Sequence, residues 1–332
     1  MSERSILVTG GAGFIGSHTC KRLRAEGFLP VAYDNLSTGN RRAVRWGPLV
    51  EADIADTAAV VEACERYRPK AAIHFAASAY VGESVADPEK YYRNNVSGTL
   101  SLLRGCREAG IEIVVFSSSC AIYGQVREAP VDERAPPAPV SPYGRTKLIG
   151  EQILQDCSDA YGMRYAALRY FNASGADPDG ELGEWHDPET HLIPRALMAA
   201  AGRIERLEIY GDDYPTPDGT CVRDYIHVTD LARAHVLALR RLLGGSGDLR
   251  LNLGAGRGAS VRDVIAAIAR VTGRKVPFVT KPRRPGDPPA LFADIALARR
   301  TLGFVPELSD LDTIVRTAAP VFGLCEPVDA YA

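Results

Sequence analysis

The sequence predicts an α/β protein: a doubly wound parallel sheet followed by a smaller mixed α/β domain. Three observations carry this expectation. Short β-rich apolar runs alternate with helical stretches through the first half. A glycine-rich turn closes the first of those runs. The alternation then gives way, after Asn172, to loops dense in Gly, Pro and acids. A strand–helix–strand alternation of this kind argues for parallel pairing with right-handed crossovers.

Taken in order, strands are predicted at Ser5–Thr9, Leu29–Tyr33, Ala71–Phe75, Ile113–Ser117 and Tyr165–Tyr170, with a further short strand ahead of Asp53. Helices are predicted at Phe14–Glu26, Thr57–Tyr67, Tyr91–Ala109 and Tyr143–Tyr161. In the second half they are predicted near Ile193–Ala201, Thr229–Leu243 and Val261–Thr272, with short strands between them. The loops Asp177–Pro188, Asp212–Thr220 and Lys281–Pro289 are of the kind that carries function in a compact protein. The expected division is residues 1–175 and 176–332, with part of 221–245 returning to the first domain.

The bulk numbers exclude several classes. A chain of 332 residues can bury a real core. Its 46% hydrophobic and 24% charged content is that of a soluble globular protein. With a formal net charge of −2 and arginines only in isolated pairs, nothing argues for nucleic acid. No apolar run approaches the roughly 20 residues of a membrane span, and Ile6-Leu7-Val8 is too short for a signal-peptide core. Seven cysteines, an odd number with no C-x-x-C, argue against a disulfide framework and a structural zinc site. The expectation is thiols in a reducing cytoplasm and no metal.

The first strand ends in a turn whose glycines, Gly10, Gly13 and Gly16, form G-x-x-G-x-x-G. The first two permit a tight turn and a close approach to pyrophosphate, and the third lets the helix pack on the sheet. The helix N-terminus would face the phosphates. Strand context on one side and helix context on the other raise this pattern above a chance glycine motif. Asp34 and Asn35 end the second strand, where an acid binds the adenosine ribose hydroxyls and would repel a 2′-phosphate, so the cofactor reads as NAD. Arg41-Arg42 is the competing signal for NADP. Asp53 and Ile54 would flank the adenine, although Asp53 also suits a helix N-cap ahead of Thr57.

The chemistry is expected at Tyr143 and Lys147. Their spacing of four sets phenol and ammonium on one helical face. A nearby cation favours the ionised phenol. Bringing a tyrosine from ~10 to about 7 takes ~3 units, or ~4 kcal/mol, and makes a usable base. The serine run Ser117-Ser118-Ser119 ends the strand at Phe116, at the sheet edge where ligands bind, and could share a proton with a substrate alcohol.

Together these motifs resemble the extended short-chain dehydrogenase/reductase superfamily and, within it, the UDP-glucose (UDP-galactose) 4-epimerases. The matching stretches are TGGAGFIGSH from Thr9, DNLSTG from Asp34, HFAASAYVGES from His74, YYRNNVSGTL from Tyr91, FSSSCAIYG from Phe116, SPYGRTK from Ser141 and LRYFNASGA from Leu168. The second half adds GDDYPTPDGTCVRDYIHVTDLA from Gly211 and RRPGD from Arg283, which are more specific to the epimerases. The resemblance covers essentially the whole chain. It implies a Rossmann domain in which Tyr143 is the base, Lys147 its electrostatic partner and ribose ligand, and Ser119 the hydroxyl helper. It further implies that Gly10, Gly13, Phe14, Ile15, Gly16, Asp34, Asn35, Asp53, Ile54, Phe75, Ala76, Asn94, Ser117, Tyr143, Lys147 and Phe171 line the NAD. The UDP-sugar would meet Ser119, Asn172, Leu192, Tyr210, Arg223, Arg284, Asp287 and Leu291, the last facing the sugar C2 substituent. It also implies a homodimer through the helices at Tyr91–Ala109 and Tyr143–Tyr161.

Two departures stand out. Ala79 takes a position where the family often has lysine, and Thr190-His191-Leu192 replaces an asparagine-led stretch, so His191 is not counted as a substrate contact. A 4-epimerase of UDP-pentose or UDP-uronic acid stays open. A sugar-nucleotide 4,6-dehydratase would need acids where Cys120-Ala121 stand, and a non-enzymatic NAD sensor would have lost the Tyr/Lys pair.

Overall fold

The computed structural model describes residues 4–126, 128–284 and 286–325. The ends of the two expected domains, residues 1–3 and 326–332, and Pro285 of the RRPGD stretch lie outside the described residues.

The first half builds β1 (Arg4–Thr9), α1 (Phe14–Ala25), β2 (Phe28–Asp34), β3 (Leu49–Glu51), α2 (Thr57–Tyr67), β4 (Ala72–His74), α3 (Val81–Ala86), α4 (Pro88–Tyr91), α5 (Gly98–Glu108), β5 (Ile113–Ser119), α6 (Pro142–Tyr161), β6 (Arg164–Tyr170) and β7 (Asn172–Ser174). The second half adds α7 (Leu192–Ala200), β8 (Leu207–Tyr210), β9 (Val222–Arg223), β10 (Tyr225–His227), α8 (Val228–Leu243), β11 (Leu249–Leu253), β12 (Ala259–Ser260), α9 (Val261–Thr272), β13 (Phe278–Lys281), β14 (Ala290–Leu291), α10 (Ala296–Leu302) and α11 (Leu311–Ala318).

Seven strands pair in the order β11-β6-β5-β4-β1-β2-β3, all parallel. Side chains alternate across the sheet with period two. Ile6 and Val8 therefore enter one apolar layer with Leu23, Leu231, Val236 and Leu251, while Leu7 enters the other with Val31, Leu102, Val114 and Leu154. A third core joins Ile193, Leu197, Ile209, Val264, Ile268 and Ile314 in the second half.

The sheet takes back more of the second half than residues 221–245. Strand β11 closes its edge against β6, and α8 and α10 pack with it, because Leu251, Leu253, Ala298 and Leu302 complete the layer over β1 and β6. The helix expected over Tyr91–Ala109 starts earlier, where the Asp87 side chain caps α4 (Lys90 N–H to Oδ1, 3.2 Å). It passes through a π-helical stretch, Tyr92–Ser97, before α5. Ser141 caps α6 through the Gly144 N–H (3.1 Å), with Pro142 in its first turn and Gly162 closing it in the left-handed conformation. That start sets Tyr143 beside the C-terminal end of β5.

Candidate active site

The parallel register brings the strand ends to one edge: Thr9 lies beside Tyr33 and His74, His74 beside Phe116, and Ser119 beside Tyr170. This edge is where an open α/β sheet binds ligands.

The glycine turn is built as a cradle. Gly10 has φ +69°, and a Cβ there would lie 2.7 Å from Ala76 N. A Cβ on Gly16 would fall 2.1 Å from Gly10 O, so helix and turn touch through bare backbone. Gly13 ends the turn as the N-cap of α1 with no side-chain cap, and Phe14 and Ile15 open the helix. Its first N–H groups thus face the cleft without a capping side chain.

Asp34, buried at the end of β2, accepts from Ala12 N–H and Leu36 N–H (both 2.9 Å). Burial nevertheless holds its carboxyl above the usual value. Asn35 donates to Asp53 Oδ2 (2.8 Å), and Ile54 is buried against Gly98. Asp53 is not the cap of α2; Asp56 is, accepting from Ala59 N–H (3.1 Å). Phe75 stacks at 4.7 Å on the His235 ring. Asn94 donates to Asn95 Oδ1 (3.0 Å) in the π-helical stretch.

Lys147 is 4% exposed, and among the described residues its Nζ donates to one protein acceptor, Ser117 O, at 2.7 Å. Its ammonium lies 5.2 Å from the Phe116 ring centroid and 5.8 Å from that of Tyr143. A buried ammonium has three donors, so two are left for ligand hydroxyls. Bare-backbone turn, uncapped helix start, buried acid and under-used lysine together fit a dinucleotide with free ribose hydroxyls.

The Tyr143 side chain is half-buried and edge-on to Tyr91 (6.5 Å), and the Ser119 hydroxyl favours its ionised form. Ser119 Oγ accepts from Ala121 N–H (3.1 Å). The expectation that Lys147 brings Tyr143 toward neutrality is corrected here. Burial pushes Tyr143 up to about 12, against the lowering effect of Ser119, and pushes Lys147 down to about 7. The same desolvation acts on both groups and disfavours both charges.

In the second half, Arg223, Arg284, Asp287 and Tyr210 come together. Arg223 donates to Val222 O (2.8 Å), Pro288 O (3.0 Å) and Asp287 Oδ1 (3.2 Å). The Arg284 guanidinium stacks 3.9 Å over Tyr210, whose hydroxyl donates to Glu208 (2.6 Å). Leu291 pairs with Arg223 across β14 and β9 and packs half-buried against two small clusters, one with Ile122 and Tyr123, the other with Phe171 and Ala293. Asn172 donates to Asp224 O (2.7 Å). Leu192 opens α7 and packs on the second-half core, apart from the Leu291 clusters. Arg223 acts electrostatically on Cys120, which in turn acts on Tyr143, so the arginine group borders the phenol corner.

Several supports escaped the sequence reading. Glu151 and Arg169 form a buried pair (2.7 Å) under Ser118. Asn95, buried, ties Ser78 O to Thr146 Oγ1 (both 3.0 Å). Asp224 accepts from Ala255, Gly256 and Ala293 N–H groups and is pushed up to about 6 by burial. His191 bonds Glu184. The VRDY context around Asp224 was the one available signal.

A family model, the NAD dependent epimerase/dehydratase family, matches residues 6–254. The UDP-glucose 4-epimerase of Rhizobium leguminosarum bv. trifolii is 51% identical over 318 residues, 96% of this chain and 97% of that protein. The structure of UDP-glucose 4-epimerase from Brucella ovis in complex with NAD superposes with a TM-score of 0.96 at 65% identity, covering 97% of this chain and 99% of that one. The UDP-Glc/GlcNAc 4-epimerase of Campylobacter jejuni superposes at 0.85 with 40% identity, covering 97% and 100%. With the cradle, the Tyr143 corner and these likenesses in agreement, the chain belongs to the NAD dependent epimerase/dehydratase family, among its UDP-glucose 4-epimerases.

Proposed function

We propose that the protein interconverts UDP-glucose and UDP-galactose by inverting C4 of the sugar. The observation that carries this reading is the placing of Tyr143 and the buried Lys147 beside the strand end at Ser119, with Leu291 linking that corner to Arg223. NAD, when bound, supplies the hydride acceptor and donor that take C4 through a ketone. Tyr143 Oη takes the proton of the 4-hydroxyl and later returns it, and Ser119 shares that hydrogen bond. A ligand hydroxyl on Nζ would stabilise Lys147 as a cation and so draw Tyr143 down from about 12.

In this reading Gly10, Gly13, Phe14, Ile15 and Gly16 receive the pyrophosphate, and Asp34 and Asn35 the adenosine ribose. Asp53, Ile54, Phe75, Ala76, Asn94, Ser117 and Phe171 line the remainder. Inversion requires the sugar to present both faces in turn, so it must be held loosely, and binding energy must come from the non-reacting uridine diphosphate. Arg223 and Arg284 serve that need through charge-assisted forks, with Asp287, Tyr210, Asn172 and Leu192 around them.

The cofactor unit is residues up to 175 plus the returning α8, β11 and α10; the rest of 176–332 binds the UDP-sugar. Val81, Val85, Tyr92 and Leu100 expose apolar surface on α3, the π-helical stretch and α5, which supports a homodimer through this face. No helix among the described residues is long and apolar enough to cross a membrane, and we take the protein to work in the cytoplasm.

The test is to incubate purified protein with UDP-galactose and no added cofactor and to separate the products. UDP-glucose should form, and NAD should be released on denaturation. A strict requirement for added NADP would overturn the reading of Asp34. Conversion only of UDP-pentoses would move the assignment to that substrate.

A further inference from the structure

The loop between β7 and α7 gathers a second group of chemistry-bearing side chains. One ligating atom from each of Glu184, His186, Glu189 and His191 lies within 4.8 Å of the others. His186 Nδ1 is 3.1 Å and His191 Nδ1 2.5 Å from Glu184 Oε1. His186 Nδ1 is 3.9 Å from Glu189 Oε2, and His191 Nδ1 is 3.5 Å from Glu189 Oε1. Tetrahedral ligands at about 2.0–2.2 Å from a zinc ion are about 3.3–3.6 Å from one another. The four separations straddle that value, so small side-chain adjustments would close the shell.

The charges also call for a cation. The Glu184 and Glu189 side chains are 5% and 7% exposed. Among the described residues neither carboxylate meets a lysine or arginine side chain; their partners are the two imidazoles. Adjacent buried carboxylates need a positive partner, which an imidazolium or a metal ion held by the same imidazoles can supply. Glu189 Oε1 is already held by the Thr190 and His191 N–H groups (both 2.8 Å), which leaves Oε2 turned toward His186. The neighbouring acidic group differs. Asp177, Asp179 and Glu181 surround Lys21 Nζ at 2.7, 2.6 and 2.8 Å, so an ammonium of the chain itself fills its centre.

We propose that Glu184, His186, Glu189 and His191 form a structural site for one divalent transition-metal ion, zinc being the best match. Two nitrogens and two oxygens from protein, with no position left for water, are the closed four-coordinate shell of a structural site. Copper would bind the same donors at least as tightly, so zinc occupancy follows from availability rather than affinity. The absence of C-x-x-C, which led to an expectation of no metal, does not bear on His and Glu ligands. All four ligands lie within residues 184–191, so the ion would pin one short loop. That loop borders the cleft: the His186 ring meets Phe14, which opens α1, edge-on at 6.3 Å and Tyr80 edge-on at 6.1 Å. The metal is a clip that holds this loop against the cofactor helix and takes no part in the proton transfer.

The experiment uses the full-length protein with its bound nucleotide. It is stripped with a chelator, dialysed against Zn²⁺, desalted, and its metal content measured by mass spectrometry. Wild type should keep about one zinc per chain and unfold at a higher temperature than the stripped protein. Loading with Co²⁺ should give the intense visible bands of a tetrahedral site. The double variant His186→Gln/His191→Gln should lose the retained zinc and the thermal shift while keeping its NAD. Wild type holding no more zinc than the double variant, or a pale octahedral Co²⁺ spectrum, would overturn the site. Should the double variant not fold, wild-type stoichiometry and the Co²⁺ spectrum decide alone.

Discussion

The corner around Tyr143 and the group around Arg223 face the same cleft but are built on opposite principles. The corner is made of strand ends and one helix start. Its serine and lysine are buried and its tyrosine half-buried, and tyrosine and lysine are both held away from their charged forms, at about 12 and about 7. The arginine group is made of loops and two-residue strands. Its guanidinium groups are occupied by Asp287, two carbonyls and the Tyr210 ring. Desolvation makes the first region responsive to whatever charge or hydrogen bond a ligand brings. Competition would let the second region exchange protein partners for ligand phosphates. The first region suits chemistry and the second suits anchoring, and variants should separate the two.

The largest effect is expected at Tyr143. Tyr143→Phe keeps the ring against Tyr91 and removes only the phenol oxygen. Loss of a general base typically costs about 10²–10⁴ in rate, so kcat should fall by that factor with NAD content and fold unchanged. Steady-state rates with UDP-galactose give the answer, and a variant keeping more than about a tenth of wild-type turnover would move the base elsewhere.

This corner was legible in the sequence because its parts are local. A helical spacing of four joins Tyr143 to Lys147, and a glycine turn between strand and helix needs only neighbours in the chain. Its electrostatics were not legible. The burial that sets Tyr143 and Lys147 comes from Phe116 on β5 and from Tyr91, 52 positions before Tyr143 in the chain. Strand β11 was expected only as an unplaced short strand between two helices, and its return to the main sheet was not legible for a similar reason. Leu249–Leu253 is short and carries Arg250 and Asn252 among its leucines, and it becomes a strand because β6 offers an open edge. The Glu184–His191 group was passed over because metal ligands were sought among the cysteines. Asp224, whose carboxylate holds the loop at Ala255 and Gly256, looked like any acid in a motif until its three N–H donors were seen.

A smaller effect, of a different kind, is expected at Arg223. Arg223→Ala removes a charge-assisted fork, worth about 1.5–3 kcal/mol, so KM for the UDP-sugar should rise about tenfold to a hundredfold. Bound NAD should be unchanged, because Arg223 sits with Asp287 and Pro288 and not with the glycine turn. Measuring KM and released NAD on one preparation sharpens the comparison. Equal loss of both would mean that the two regions are one.

The smallest effect tests where the regions meet, at Leu291. Its backbone is paired with Arg223, and its side chain packs toward the clusters that hold Cys120, the residue after Ser119. In the proposed reading it stands between the anchor and the reacting end of the sugar. Leucine is shorter than tyrosine and lacks its hydroxyl, so it would leave more room beside the sugar C2 substituent. We expect measurable 4-epimerisation of UDP-N-acetylglucosamine beside UDP-glucose, as the name of the Campylobacter jejuni relative describes for that enzyme. Leu291→Tyr should cut the N-acetyl reaction by at least about tenfold, ~1.4 kcal/mol of transition-state binding, and spare UDP-galactose. Leu291 is only half-buried, so the larger ring can turn into the cleft instead of overpacking the two clusters. Parallel kcat/KM values for the two substrates separate the outcomes. A selective loss assigns Leu291 to the sugar pocket. A loss shared by both substrates, or a wild type inert toward the N-acetyl sugar, assigns it to packing alone.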